Sequence, residues 1–251
     1  MSHRITGSSV SECKFGLERN NVKEDSRIKI RILLCFTNFR AQTCLHLAEQ
    51  ARKPKAMPAS SKQALVTFIG QQVPASQEAL ATIAAAFEEI QFAEDDYFLK
   101  EGRLGGYLFL AEGFMRAFTF DPEGNEVTTY FYPKNRVVFD VSGFFLRKPS
   151  TENIQAVTDC HGYLLTIEKL NVLFHSIPEF REFGRLMLIK EFIAYKDRTL
   201  AMIKQSAEQR YAELVSTNPE IFQHAQLKQI ASYLGISERS LSRIRNEFAK
   251  K

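Results

Sequence analysis

Several kinds of site are missing from this sequence of 251 residues. Its four cysteines, Cys13, Cys35, Cys44 and Cys160, form no CxxC pair and have no regular spacing. Disulfide scaffolds, zinc sites and iron–sulfur sites depend on such patterns, so we expect reduced cysteines, a cytoplasmic location and no metal or other cofactor. No uninterrupted apolar run approaches the roughly 20 residues of a membrane span, and we predict no membrane partner.

Charge is unevenly distributed along the chain. Residues 1–56 hold 11 Lys/Arg and 5 Asp/Glu, whereas residues 57–251 hold 22 and 24. Within that second part, residues 237–251 hold five Lys/Arg and two Asp/Glu. The body is therefore slightly acidic and its C-terminal tip is basic. A local basic face is enough for contact with DNA, because phosphate attraction is screened over a short range.

Residues 1–56 differ in composition from the rest. Polar and basic residues surround one apolar patch, Ile28 to Phe36, and no periodicity persists. This composition predicts a disordered segment, and we interpret it as an N-terminal extension upstream of a natural start at Met57.

The central part changes from a helical period to a period of two. From Ser60 to about Phe92 apolar residues recur at helical spacing, with Ser76 as a candidate N-cap. From there to about Ile167, short β-branched and aromatic runs alternate with Gly and Pro turns, which predicts a sandwich or β-roll. The predicted strands are Tyr97 with Leu99, Tyr107–Leu110, Phe114–Phe120, Val127–Tyr132, Val137–Phe139, Gln155–Val157 and Tyr163–Ile167.

A long helix is predicted after the strands. From Glu179 to about Lys204 there is no proline and a single glycine, Gly184. An apolar stripe runs along this helix, and one domain rarely needs so long a helix for its own core. We therefore predict a homodimer in which the helix pairs with its twin. The predicted interface residues are Phe183, Leu186, Ile189, Ile193, Leu200 and Ile203.

The segment LKQIASYLGISERSLSRIRNEF, residues 227–248, has the pattern of a helix-turn-helix. A first amphipathic helix ends at Gly235, and Ser237 is a good N-cap for a second helix. That second helix has one apolar face, and its opposite face is basic and polar, which suits double-stranded DNA. The candidate DNA-binding residues are Ser237, Glu238, Arg239, Ser242, Arg243, Arg245, Asn246 and Lys250.

Strand-rich roll, long helix and helix-turn-helix, in this order, resemble the catabolite-activator/fumarate–nitrate regulator (Crp/Fnr) family of bacterial transcription regulators. The resemblance covers about residues 60–251. Its specific points are Gly102, Gly113, Gly124 and Gly143 and the segment LGISERSLSRIR at 234–245, which looks especially like the members from Bacteroidetes.

The resemblance implies an α+β fold with a cyclic-nucleotide-binding-like β-roll, a long dimerisation helix and a C-terminal helix-turn-helix domain. The implied domains are 57–177, 178–205 and 206–251. It also implies a small-molecule effector of unknown identity and contact with RNA polymerase. By the same resemblance Glu238, Arg239 and Arg243 match the family's three base-reading positions, where Glu then Arg replaces the common Arg then Glu.

The effector cassette of the family matches FDVSGFFLRKPSTENIQAV, residues 139–157. Family members that bind cyclic nucleotides have Gly-Glu and Arg-Ser or Arg-Thr where this chain has Asp140-Val141 and Ser150-Thr151. Without the arginine, a cyclic phosphate loses a charge-assisted hydrogen bond. We therefore predict a cassette that is degenerate for cyclic nucleotides. The predicted effector-pocket residues are Asp140, Val141, Ser142, Gly143, Phe144, Ser150 and Thr151.

Two other functions stay open at this point. A cyclic-nucleotide-responsive regulator is the main alternative, although the cassette argues against it. A cupin-like enzyme would need several histidines and a carboxylate inside the roll, and His161 is the only histidine between Phe92 and Ile167. We therefore predict a protein that is not an enzyme.

Overall fold

The computed structural model describes residues 62–249, except for the side chains of Phe144 and Phe145. The predictions for residues 1–56, with a start at Met57, lie outside the described residues.

The described part of the chain contains helices and strands in the order expected from the sequence. Helices α1 to α9 are Gln63–Gln72, Gln77–Ala86, Val141–Leu146, Ile167–Ser176, Pro178–Lys204, Ala207–Thr217, Ile221–His224, Leu227–Leu234 and Glu238–Phe248. Strands β1 to β8 are Glu88–Phe92, Tyr97–Leu99, Tyr107–Glu112, Met115–Phe120, Glu126–Tyr132, Arg136–Val138, Asn153–Ala156 and Cys160–Leu165.

The eight strands form a β-roll of two antiparallel sheets. The strand order is β1-β8-β3-β6 in the first sheet and β2-β7-β4-β5 in the second. Apolar side chains of both sheets meet between them. The outer face of the first sheet packs on α1, α2, α4 and the start of α5. On the second sheet, Phe114 and Phe131 pack against the C-terminal helices. The predicted α+β roll, long helix and helical C-terminal part are confirmed.

One boundary prediction is wrong. The helical pattern was expected to run to about Phe92, but α2 ends at Ala86 and Phe87 is extended. The next five residues form β1, which pairs with β8 in antiparallel register from Glu88 opposite Leu164 to Phe92 opposite Cys160. A five-residue segment carries too little periodicity to distinguish helix from strand. Its pairing with the fully buried strand β8 therefore determines that it is a strand.

The C-terminal end of strand β8 also differs from the prediction. The strand was expected to include Ile167, whereas it ends at Leu165. The hydroxyl of Thr166 accepts a hydrogen bond from the backbone N–H of Lys169, so it caps α4 and starts the helix at Ile167. The local cap therefore takes precedence over the apolar run.

His161 is a packing residue on the outer face of the first sheet, where its ring lies 5.2 Å from that of Tyr163. It is buried, and its Nε2 lies 2.7 Å from Oε1 of Glu89 on the neighbouring strand. Between residues 62 and 249 no cluster of three or more His, Cys, Asp or Glu side chains could hold a metal ion. Over the same residues, no helix is both long and apolar enough to cross a membrane.

Helix α5 extends over 27 residues and has two different halves. Near its start, Phe180, Phe183 and Gly184 are buried against α4 and the first sheet. A Cβ on Gly184 would lie 2.3 Å from the ring of Phe174, so only glycine allows this close approach. Further along, the helix leaves the core and its apolar residues become exposed.

The predicted dimer stripe is corrected at one position. The side chain of Phe183 is 1% exposed and packs inside its own protomer, so it cannot face a second copy. Leu186 is half-buried and also packs on the same core. Ile189, Ile193 and Ile203 are exposed, and Leu200 is half-buried. Helical periodicity predicts that all of these positions lie on one apolar face. Only the packing of α4 on α5 distinguishes the positions buried in the protomer from the exposed ones.

Candidate nucleic-acid interface and effector cassette

The turn between α8 and α9 depends on a glycine. Gly235 has φ of +67°, a left-handed conformation that glycine adopts without strain. Its backbone N–H donates to the carbonyl of Ser232, and the N–H of Ile236 donates to that of Ala231. A Cβ on Gly235 would also lie 2.5 Å from the Cε of Met202. These constraints hold the angle between the two helices of the helix-turn-helix.

The second helix, α9, starts where the sequence predicts. The hydroxyl of Ser237 accepts a hydrogen bond from the backbone N–H of Ser240 and caps the helix, whose first residue is Glu238. Leu241 and Ile244 are buried against α6 and α8. Burial of this face directs the opposite face of α9 to the solvent.

The candidate DNA-binding residues lie on that exposed face or at its ends. They are all exposed: Ser237, Glu238, Arg239, Ser242, Arg243, Arg245 and Asn246. Lys250 lies outside the described residues. A helix that is anchored on one side and presents Arg, Asn and Ser on the other can enter a major groove.

Arg243 is paired in the free protein. Its guanidinium nitrogens lie 3.2 Å from Oε1 of Glu247 on the same helix and 3.4 Å from Oε1 of Glu208 on α6. The pKa of the Glu208 carboxyl is lowered by its own backbone N–H, then by the Ser206 hydroxyl, and also by Arg243. Both pairs are exposed, so they hold Arg243 loosely and leave it free to exchange partners.

The helix-turn-helix packs directly on the roll. The rings of Phe131 on β5 and Tyr233 on α8 lie 5.1 Å apart, and those of Phe114 and His224 lie 5.4 Å apart. The hydroxyl of Ser232 accepts a hydrogen bond of 3.1 Å from the backbone N–H of Thr128. The C-terminal helices therefore share an apolar cluster with the roll.

Arg198 on the long helix joins the roll and the C-terminal helices, and no pattern in the sequence predicts this role. Its guanidinium donates to the backbone carbonyl of Thr129 in the roll and, at 3.1 Å, to that of Tyr233 in α8. It also lies 4.1 Å from the centroid of the Tyr233 ring. No local pattern marks such a residue, because its partners are backbone carbonyls 69 and 35 residues away.

In the effector cassette, Asp140 caps its own helix. Its carboxylate accepts hydrogen bonds from the backbone N–H groups of Ser142, at 3.2 Å, and Gly143, at 2.8 Å. These are N–H groups that a bound anion at the start of α3 would use. Asp140 therefore places a negative charge where a cyclic phosphate would need donors.

The other end of the cassette is also satisfied internally. The hydroxyl of buried Ser150 donates to the carbonyl of Glu152 and accepts from its N–H. Thr151 and Val141 are exposed. Burial raises the pKa of the Glu152 carboxyl, and a hydrogen bond with Thr129 opposes that shift. The cassette residues thus lie around α3 and β7, but their polar groups bind one another.

Comparison with known proteins identifies the fold. No protein-family model matches the sequence, and no curated protein sequence does. Among solved structures, the c-di-GMP responsive global regulator CLP of Xanthomonas campestris matches with 14% identity and a TM-score of 0.56, over 70% of this chain and 92% of that chain. FixK2 of Bradyrhizobium japonicum matches with 17% identity and a TM-score of 0.56, over 65% and 85%.

A third match is TTHA1359 of Thermus thermophilus, a transcriptional regulator of the Crp/Fnr family. Its identity is 18% and its TM-score 0.53, over 65% of this chain and 86% of that chain. The described part of this chain therefore has the fold of the Crp/Fnr transcription regulators.

Proposed function

We propose that this protein is a dimeric, sequence-specific DNA-binding transcription regulator of the Crp/Fnr type and not an enzyme. The observation that carries the proposal is the exposed face of α9, which presents Arg239, Ser242, Arg243 and Asn246 while Leu241 and Ile244 anchor the helix behind it. The fold neighbours support it, because CLP is a global regulator of gene expression and TTHA1359 is a transcriptional regulator.

We further propose the domain limits 57–177 for the sensor roll, 178–205 for the dimerisation helix and 206–251 for the DNA-binding domain. A regulator of this design binds double-stranded DNA in the cytoplasm and contacts RNA polymerase. A relation to members from Bacteroidetes rests on the LGISERSLSRIR segment.

The proposal also includes a cassette that does not respond to cyclic nucleotides. Three observations support it: Ser150 stands at the phosphate position, Asp140 occupies the N–H groups of α3, and the polar group of Ser150 is satisfied by Glu152. A cyclic phosphate placed there would meet a carboxylate instead of a guanidinium. Calorimetry with cyclic AMP and cyclic GMP distinguishes an unresponsive cassette from a cyclic-nucleotide-responsive regulator. Micromolar binding of either nucleotide would establish the responsive regulator.

The main experiment is selection from a random double-stranded DNA library with the purified protein. We expect enrichment of a two-fold symmetric site with half-sites about one helical turn apart, because a dimer presents two α9 helices. The selection should be repeated with metabolites from a cell extract. Failure to enrich any motif, together with binding that depends only on salt, would contradict sequence-specific recognition.

A further inference from the structure

The end of α5 packs on the turn of the helix-turn-helix through a methionine. Met202 lies in the last turn of α5, and its terminal methyl group fills the space beside Gly235. A Cβ on that glycine would lie 2.5 Å from Cε and 3.7 Å from the sulfur of Met202. Gly235 joins α8 to α9, whose first residue is Glu238. A change of shape at Met202 therefore acts directly on the turn that orients α9.

Met202 is the most exposed of the three methionines between residues 62 and 249. It is 43% exposed, whereas Met187 is half-buried on the core of the protomer and Met115 is completely buried inside the roll. Oxidation of a thioether needs contact with a dissolved oxidant, so exposure selects among methionines. An oxidant should therefore reach Met202 before the other two.

The only cysteine in this part of the sequence is a poor competitor for an oxidant. Cys160 is buried, and burial raises the pKa of its thiol to about 11. The thiol is thus protonated at neutral pH, and a protonated thiol is a poor nucleophile. Among the sulfur atoms of residues 62–249, that of Met202 is therefore the one that we expect a peroxide to attack.

The surroundings of Met202 suit a thioether better than a sulfoxide. Oxidation converts a flexible apolar side chain into a polar one, whose oxygen needs a hydrogen-bond donor. The backbone N–H groups of Gly235 and Ile236 already donate to carbonyl oxygens of α8. The guanidinium of Arg210, which also reaches the turn, donates to the carbonyl of Leu234. A sulfoxide at Met202 would therefore leave its place beside the turn or displace the turn.

We propose that Met202 is an oxidative modification site, and that its sulfoxide displaces the turn at Gly235 and weakens DNA binding. The sulfur lone pair attacks the terminal oxygen of a hydroperoxide, and the S–O bond forms as the O–O bond breaks. The departing oxygen takes the proton and leaves as water or an alcohol. The sulfur loses two electrons and the peroxide gains them. The effect on DNA rests on the proposed function, whereas the modification and the displacement do not.

Peptide mass spectrometry of the full-length protein after treatment with hydrogen peroxide measures the modification. We expect Met202 to gain one oxygen at least about fivefold faster than Met187, and Met115 to remain unmodified in the folded protein. Protein unfolded in urea is the reference, because all three methionines are then exposed and should react at similar rates. Equal rates at Met202 and Met187 in the folded protein would overturn the proposal.

Timed digestion tests the displacement without DNA. Peroxide should accelerate cleavage within residues 205–249 of the wild-type protein by at least about threefold, because a loosened helix-turn-helix opens more often. Met202→Leu should abolish this effect, since leucine fills the place beside Gly235 without a sulfur atom. Met187→Leu makes the same substitution on the same helix and should keep the wild-type response. Unchanged digestion of a protein fully oxidised at Met202 would overturn the proposal.

The last test measures the Kd for the DNA site obtained by selection, each protein being compared with its own untreated sample. Dithiothreitol is added after peroxide, so that reversible cysteine oxidation does not contribute. Peroxide should raise the Kd at least about fivefold in the wild-type protein and in Met187→Leu, and less than about twofold in Met202→Leu. Methionine sulfoxide reductases of both stereospecificities should restore the wild-type Kd. An equal loss of affinity in Met202→Leu and the wild-type protein would contradict the proposal.

These outcomes separate the modification site from the proposed function. A motif enriched by the untreated protein establishes DNA recognition whatever peroxide does, and an unchanged Kd with fully oxidised Met202 then overturns the proposed effect on DNA alone. If the untreated protein enriches no motif, DNA recognition fails, and mass spectrometry and digestion still decide whether Met202 is a modification site that displaces the turn.

Discussion

Arg243 lies on the exposed face of α9, and its guanidinium is already held by Glu208 and Glu247. Both pairs are exposed and weak, and a guanine edge offers two acceptors in the geometry that a guanidinium prefers. The two glutamates would then hold the side chain in reach of DNA until it exchanges partners.

Replacement of Arg243 with Ala should therefore weaken binding to the selected DNA site by about 1–3 kcal/mol and relax discrimination at one base pair. Arg245→Ala, also on α9, is the matched control, because a phosphate contact should weaken binding to all sequences by similar factors. Fluorescence anisotropy with specific and random duplexes measures both. Equal losses on the two duplexes for Arg243→Ala would show that it contacts only phosphate.

Cys160 makes the stability of the roll depend on pH. Burial raises the pKa of its thiol from 9.0 to about 11. The folded state then holds the proton more tightly than the unfolded state, so this contribution is complete below pH 9 and is lost as the pH rises towards 11. The slope from one such group cannot exceed about 1.4 kcal/mol per pH unit.

We expect the free energy of unfolding, measured with urea, to fall more steeply between pH 9 and 10 in the wild-type protein than in Cys160→Ala. Comparison of the two proteins at each pH cancels the contribution of buried tyrosines, whose pKa values are also raised. Parallel pH profiles for the two proteins would show that the thiol is not the titrating group.

At the scale of elements, the support for a dimer comes from exposed apolar residues of α5. After the helix leaves the core, Ile189, Phe192, Ile193 and Ile203 expose large apolar side chains along it, with Phe192 71% and Ile203 74% exposed. Pairing of this helix with its twin would place like residues opposite each other and cover that surface.

A double variant, Ile189→Glu with Ile193→Glu, should produce monomers on sedimentation, because two charges per chain would be buried against each other. Val172→Glu is the matched control, since Val172 is 64% exposed on α4 and lies off the long helix. Dimers that persist in the double variant would place the interface on another surface.

At the scale of the whole molecule, few polar contacts hold the C-terminal helices on the roll. Arg198 bonds both Thr129 and Tyr233, whereas the remaining contacts are largely apolar and aromatic. Both carbonyls are part-buried, and loss of each hydrogen bond would cost about 1 kcal/mol, so the placement of the C-terminal helices depends in part on this side chain.

Replacement of Arg198 with Met should therefore lower the midpoint of thermal unfolding and accelerate limited proteolysis near Gln205, where α5 ends. Lys196→Met is the control, because Lys196 is exposed on the same helix. Calorimetry and timed digestion measure the two effects. If Arg198→Met keeps the wild-type midpoint and digestion rate, the apolar contacts alone hold the domain.

Local patterns in the sequence were sufficient to predict many helix ends, turns and helix faces of this protein. Ser76 and Ser237 are recognisable N-caps, and each caps a helix in the structure. The glycine turn at Gly235 and the two faces of α9 follow from residue type and a period of 3.6, because caps and amphipathic faces are determined within a few neighbouring residues.

Other features were decided only by tertiary structure. Whether Glu88–Phe92 forms a strand depends on pairing with β8, and whether Phe183 faces its own core depends on the packing of α4. Arg198 joins three parts of the chain that are far apart in sequence. Periodicity records only which side of an element is apolar, whereas the partner that covers that side is determined by contacts between distant segments.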